Sequence, residues 1–83
     1  MKTFEQGNMN NALIRRADGS VLRVIKAKDA KAGMTLGYDN PRLDEYIDDV
    51  GETQDGEIVL YTGIDGTSTH WRQADELMCV VWR

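Results

Sequence analysis

Two Asp-Gly dipeptides, Asp18-Gly19 and Asp65-Gly66, are the features that most constrain how this chain folds. Each lies between two segments rich in β-branched and apolar residues, and a glycine at such a position accepts the left-handed backbone of a tight turn. This pattern is typical of β-hairpins. The chain is therefore predicted to be mainly β, or α+β at most.

The first predicted hairpin spans residues 12–27 and is rich in basic side chains. A three-residue loop that ends at Gly19 places Ile14 opposite Leu22 on one apolar face. The other face then mixes arginine with apolar side chains, which suits the edge of a small sheet or barrel.

Residues 57–82 are predicted to form a three-stranded antiparallel meander. The second Asp-Gly turn separates its first two strands, and a turn at residues 73–76 leads into an apolar third strand. A four-residue loop at that turn would bring His70 next to Cys79. With the first hairpin and a short strand at residues 34–38, the count is five or six strands, which close naturally into a small barrel or a bent antiparallel sheet.

Residues 40–50 are ambiguous between helix, strand and loop. Four apolar side chains have the spacing of one helical face: Leu43, Tyr46, Ile47 and Val50. Asn40 can cap the start of a helix and Gly51 can end it. A short acidic helix is favoured, with a strand or a loop as the alternatives. Residues 1–10 show no period and are interpreted as a loose arm or short edge strand.

A resemblance to a known group rests on three pieces of sequence. These are the stretch Ala27-Lys28-Asp29-Ala30-Lys31-Ala32-Gly33-Met34, a later hairpin around an Asp-Gly turn, and Ala74-Asp75-Glu76 before an apolar strand. Together they resemble small SH3-like β-barrel proteins of phages and prophages, over roughly Val21 to Val81. The resemblance implies a barrel and a mobile-genetic-element origin. It transfers no functional residue, and the acidic segment 39–56 departs from the pattern.

Length and composition limit the remaining possibilities. The 83 residues suffice for a single domain. One cysteine and one histidine cannot form a disulfide or the usual Cys/His zinc site. No apolar run suits a membrane span or a secretory signal, so we expect a cytoplasmic protein, in the host cytoplasm if phage-encoded. No cofactor, metal or small-molecule substrate is predicted.

The best candidate for catalysis is the pair of His70 and Cys79, because a neighbouring imidazole can lower the pKa of a thiol. Cys79 lies in the apolar run Leu77 to Trp82, where it is most simply a buried hydrophobic side chain. No third orienting residue and no glycine-rich oxyanion loop accompany the pair. The chain is therefore predicted not to be an enzyme.

Charge is distributed unevenly along the chain. Residues 1–31 contain seven basic and three acidic side chains, a net of +4, whereas residues 32–83 contain three basic and eleven acidic ones, a net of −8. The acidic residues concentrate in one run: Asp44, Glu45, Asp48, Asp49, Glu52, Asp55 and Glu57. This run is either a solvated surface, a metal site or a surface that imitates nucleic acid, although it lacks the ligand order of a calcium loop.

The aromatic residues complete the prediction of function. Trp71 is expected in the core, across from Val59 or Leu60, and Trp82 is expected to be an exposed anchor for a partner. Small size, missing catalytic groups and the acidic run predict a protein-binding module that covers a basic, nucleic-acid-binding surface, with Trp82 as a further contact residue. The resemblance to phage proteins implies that such a module is a phage-encoded inhibitor of anti-CRISPR or other anti-defence type. The alternative is a structural or regulatory domain whose basic hairpin binds nucleic acid or self-assembles. A homodimer is left open.

Overall fold

The computed structural model describes residues 11–63 and 67–82. These residues form one open antiparallel sheet with the strand order β1-β2-β7-β3-β4-β5-β6. The strands are β1 (Leu13–Arg15), β2 (Val21–Lys26), β3 (Thr35–Leu36), β4 (Glu45–Glu52), β5 (Ile58–Thr62), β6 (Ser68–Arg72) and β7 (Leu77–Val81). Two short 3-10 turns, Ala27–Asp29 and Pro41–Leu43, are the helical elements of this part of the chain.

The prediction of a mainly β protein is confirmed. The described residues contribute seven strands rather than five or six, and closure of the sheet into a barrel is not confirmed. Within residues 11–63 and 67–82, no helix has the length and hydropathy needed to cross a membrane.

The register of the first hairpin agrees with its prediction. Ile14 lies opposite Leu22, and Gly19 has a φ of 91°, the left-handed conformation that its loop requires. The backbone N–H of Arg16 donates to the carbonyl of Ser20 and closes the loop. The second Asp-Gly turn, Asp65-Gly66, lies outside the described residues.

The predicted C-terminal meander is wrong. β6 pairs with β5 as expected, but β7 leaves this hairpin and lies between β2 and β3. Burial explains why β7 is central and β6 is at the edge. Alternate residues of β7, Met78 and Val80, are buried, whereas β6 has no buried residue. An apolar strand gains more from a central position, and a polar strand tolerates the edge.

The helix favoured for residues 40–50 is also wrong, and the strand alternative is correct for the part of this segment that lies in β4. Asn40 does act as a cap, since its side chain accepts from the backbone N–H of Arg42, but it starts only a single 3-10 turn. The chain then continues as β4, which pairs with β5 through a turn at Asp55-Gly56. In this strand Ile47 joins the core and Val50 packs against it. Pairing with β5 therefore determines the secondary structure of this segment, although its apolar spacing suited a helix.

The main core is formed by apolar side chains from β2, β3, β4, β5 and β7, from the first 3-10 turn and from the residue that caps this turn. Its buried members are Ile25, Ala27, Ala30, Leu36, Ile47, Ile58, Leu60, Met78 and Val80. Residues 73–76 are attached to this turn through two backbone hydrogen bonds, from Ala27 N–H to the Glu76 carbonyl and from Lys28 N–H to the Ala74 carbonyl. These bonds direct the chain from edge strand β6 into the middle of the sheet.

Candidate binding surface on strands β4 to β6

The predicted acidic run is divided by the fold into three groups. Asp48, Asp49, Glu52 and Asp55 are exposed, whereas Asp44 and Glu45 are partly buried and engaged in hydrogen bonds. Glu57 is partly buried and accepts a 3.3 Å hydrogen bond from the side chain of Gln73. The seven carboxylates therefore do not form one continuous helical face.

A β-bulge in β4 places two of the exposed carboxylates together. The register shifts between Ile47, which lies opposite Thr62, and Asp49, which lies opposite Tyr61. Asp48 is the extra residue of the bulge, and it points outward after the buried Ile47. Because of this extra residue, Asp49 is also exposed, beside Asp48, instead of alternating toward the core.

Aromatic side chains share the face to which Asp49 belongs. Tyr61 lies opposite Asp49, and two residues away Trp71 lies opposite Val59. Because side chains alternate along a strand, these positions point to the same side of the sheet. Trp71 is 55% exposed, so its predicted place in the core is wrong, although its pairing with Val59 is confirmed.

Tyr46 extends this face along β4. It is 53% exposed and precedes the buried Ile47, so it points away from the core. We name the exposed set the acidic-aromatic surface: Tyr46, Asp48, Asp49, Tyr61 and Trp71. Glu52 and Asp55 lie outside it, since Glu52 is opposite the buried Ile58 and Asp55 is in the following turn.

Trp82 does not belong to this surface. It is 48% exposed, as predicted, but it follows β7, and β3 separates β7 from β4 in the sheet. Its ring contacts the guanidinium of Arg23, with 5.4 Å between the guanidinium carbon and the ring centroid. The structure thus separates the predicted anchor from the predicted acidic site.

Asp44 is held by a buried arginine. Two nitrogens of Arg16 donate to the two carboxylate oxygens of Asp44 at 2.7 and 3.0 Å. Arg16 also donates to the Tyr38 carbonyl and to Ser20 Oγ, both at 2.8 Å. The guanidinium holds the pKa of Asp44 below its usual value. Asp44 therefore joins the first hairpin to the start of β4 and is not available to a partner.

Glu45 is the acceptor of a second polar cluster. Tyr38 Oη donates to Glu45 at 2.7 Å and Thr62 Oγ1 donates at 3.1 Å. His70 Nε2 lies 3.0 Å from the same carboxylate, outside the angles of a hydrogen bond. The hydrogen bond from Tyr38 is the main cause that lowers the pKa of Glu45. Burial, with the same bond, raises the pKa of Tyr38 to about 12.

The predicted contact between His70 and Cys79 is wrong. His70 lies opposite Leu60 on β5, whereas Cys79 lies opposite Val24 on β2. Burial is the larger cause that raises the pKa of the Cys79 thiol, and the charge of Asp39 adds to it. A raised pKa reduces the thiolate fraction, which is the opposite of nucleophile activation.

The basic side chains of the first 31 residues have different surroundings. Arg16 is buried against a carboxylate, Arg23 stacks on a tryptophan ring, and Lys26 and Lys28 lie 3.9 and 3.4 Å from Asp75. This partition weakens the case for a continuous nucleic-acid surface on the hairpin. Within the described residues no group of three or more potential metal ligands occurs.

Comparisons of the chain with protein-family models, curated proteins and solved structures found no match. The resemblance to SH3-like phage proteins stays a prediction. A proposal for the function therefore has to rest on the chemistry of the exposed surfaces.

One signal for the acidic-aromatic surface was present in the sequence. Asp55-Gly56 is a third Asp-Gly dipeptide, and Gly56 has a φ of 87° in the turn between β4 and β5. A hairpin at this dipeptide indicates that residues 45–52 form a strand beside β5. The bulge and the exposure of Trp71 have no comparable sequence signal.

Proposed function

We propose that this protein is a non-enzymatic binding domain whose acidic-aromatic surface covers a basic surface on a partner protein. The observation that carries the proposal is the register that places Asp49, Tyr61 and Trp71 on one exposed face. Carboxylates form ion pairs with lysine and arginine, and aromatic rings beside them add cation–π contacts. Exposed tryptophan and tyrosine are also the residues that most often dominate interface energies.

A nucleic-acid-binding surface is the partner chemistry that fits best, because its lysine and arginine side chains are arranged to contact phosphates. Carboxylates bound there exclude nucleic acid by charge and by bulk. We therefore propose an inhibitory role, such as that of a phage-encoded protein acting on a CRISPR or other defence complex. The SH3-like resemblance and the phage origin are parts of this proposal.

The test uses an eight-residue arginine-rich peptide as a probe of basic surfaces, titrated into the 15N-labelled protein. We expect the largest NMR shifts at the backbone of Asp48 and Asp49 and at the indole of Trp71. Replacing both aspartates by asparagine should weaken binding by about tenfold, because the ion pairs are lost. Replacing Trp71 by serine should weaken it by a similar factor, because the cation–π contact is lost.

The matched control removes the same charge from outside the surface. Glu52→Gln with Asp55→Asn also neutralises two exposed carboxylates. If this control weakens binding as much as the Asp48 and Asp49 changes, net charge alone accounts for binding and the proposed surface is wrong. If shifts instead concentrate in residues 12–31, the partner contacts the basic hairpin.

A further inference from the structure

A groove of about 200 Å³ lies beside Arg23, at the end of β7. Its apolar lining includes Met34, Val80, Val81 and Trp82. The acidic-aromatic surface contributes none of the groove's lining residues. A ligand of this groove is therefore independent of the proposed protein partner.

Arg23 lines the groove without an anionic partner. Its neighbours across the sheet, Leu13 and Val80, are both apolar. None of the ion pairs found among residues 11–63 and 67–82 includes Arg23. Its Nε is shielded from solvent and has no hydrogen-bond partner in the described part of the chain. An unpaired buried donor is unfavourable, and a bound anion would relieve this cost.

Trp82 prepares the guanidinium for such an anion. The indole ring lies 5.4 Å from the guanidinium carbon of Arg23, a distance typical of a cation–π contact. This contact restrains one face of the guanidinium. Among residues 11–63 and 67–82, no acceptor pairs with its Nε donor. A planar fork of N–H groups matches the two oxygens of a carboxylate.

We propose that this groove binds a small aromatic carboxylate of about the size of phenylacetate. The carboxylate is held by the guanidinium edge of Arg23, which turns slightly to present Nε, and the ring packs among Met34, Val80 and Trp82. The volume is adequate, because an apolar cavity of about 150 Å³ accepts benzene. A hydrated inorganic anion gains nothing from the apolar lining, so the apolar body of the ligand provides the selectivity.

The test follows the side-chain Nε–Hε signal of Arg23 and the indole N–H of Trp82 in 15N-labelled protein. Phenylacetate should shift both signals saturably, with a Kd of about 1 mM or tighter. Phenylacetamide, which has the same ring but no charge, should bind at least about tenfold more weakly. Sodium phosphate should leave both signals in place.

Variants separate charge from geometry. Arg23→Lys keeps the charge but loses the planar fork, and should weaken phenylacetate binding by about tenfold. Arg23→Met should abolish binding, and Arg15→Met, on exposed Arg15 of the same hairpin, should leave it unchanged. Circular dichroism of each variant checks its fold, and the lysine variant carries the test if the methionine variant unfolds.

Three results would overturn the proposal. The first is the absence of a saturable shift at Arg23 with phenylacetate. The second is equal binding of phenylacetamide, which would show an apolar groove without anion recognition. The third is equal binding of phosphate, which would show only an adventitious ion at an exposed cation.

Discussion

Arg16 shows how a charged residue holds separate parts of this small protein together. Its side chain is 5% exposed and donates to Asp44, to Ser20 and to the backbone of Tyr38. A buried charge is tolerated only where such partners are complete. Its carboxylate partner lies next to β4, so this contact connects the β1–β2 hairpin to the strand that carries the acidic-aromatic surface.

Asp44→Asn should therefore destabilise the protein, since it leaves the Arg16 guanidinium without its counter-charge. We expect a fall in Tm of about 10 °C or more. Because the pKa of Asp44 is lowered in the fold, its contribution is present above the ordinary aspartate pKa and is lost as pH falls through the lowered value. Urea unfolding between pH 2 and 7 should show a weaker acid dependence in the variant. Asp48→Asn, at an exposed position, is the control and should leave Tm nearly unchanged.

Tyr38 gives a prediction at the alkaline end. Its pKa is raised to about 12, so the folded state keeps the phenol protonated after the unfolded state has lost its proton. The stability that this contributes is present below pH 10 and is lost as pH rises toward 12. Absorbance at 295 nm should show a phenol titrating near pH 12 that is absent from Tyr38→Phe. If a phenol still titrates near pH 12 in the Tyr38→Phe variant, the raised pKa does not belong to Tyr38.

At the scale of elements, strand positions follow from which faces are apolar. β5 has buried residues at four of its five positions and lies inside the sheet, whereas β6 has none and forms an edge. The β4 strand lies between these extremes, and its bulge turns two aspartates outward. The acidic-aromatic surface is thus a product of three neighbouring strands.

Two glycines test the packing between elements. A β-carbon at Gly37 would overlap Leu22 Cδ2, and Leu22 is buried, so Gly37→Ala should cost about 1–3 kcal/mol. The matched change is Gly51→Ala, where the new β-carbon would lie 3.6 Å from the Tyr61 ring, an ordinary contact. We expect a clear loss in urea-unfolding free energy for the first and little change for the second. Equal losses would show that Leu22 is not packed tightly over Gly37.

At the scale of the whole molecule, charge and topology act together. The positively charged first 31 residues include β1 and β2, at one end of the strand order, and the acidic-aromatic surface lies on the last three strands of that order. A basic partner that approaches β4 to β6 therefore meets carboxylates at the end of the sheet opposite the basic hairpin. Long-range attraction then favours encounter at that face.

Salt dependence distinguishes the two parts of that surface. Added salt shortens the Debye length from about 30 Å at 0.01 M to about 8 Å at 0.15 M, so binding of the arginine-rich peptide should weaken by about threefold or more. The Asp48→Asn, Asp49→Asn variant should lose most of this salt dependence. The Trp71→Ser variant should bind more weakly at both salt concentrations, but its binding should keep the same salt dependence. Identical salt dependence in both variants would show that the aspartates do not contact the peptide.

The sequence alone determined the features that depend on neighbouring residues. The first hairpin and its register follow from Gly19 and from alternation on both sides of it, because turn geometry and side-chain period are local. The exposure of Trp82 was also predicted from its position beside the charged Arg83. The Asp55-Gly56 dipeptide carried an equally local signal for the hairpin that joins β4 to β5.

Only the tertiary structure decided which strands meet and which charges are paired. The spacing of Leu43, Tyr46, Ile47 and Val50 fits a helix, and pairing with β5 made a strand of it. Asp44 and Asp48 are alike in sequence, yet one meets a buried arginine 28 residues away and the other reaches solvent at a bulge. The free energy of such contacts depends on residues that are distant in the chain. Local propensity and side-chain period therefore cannot predict these contacts.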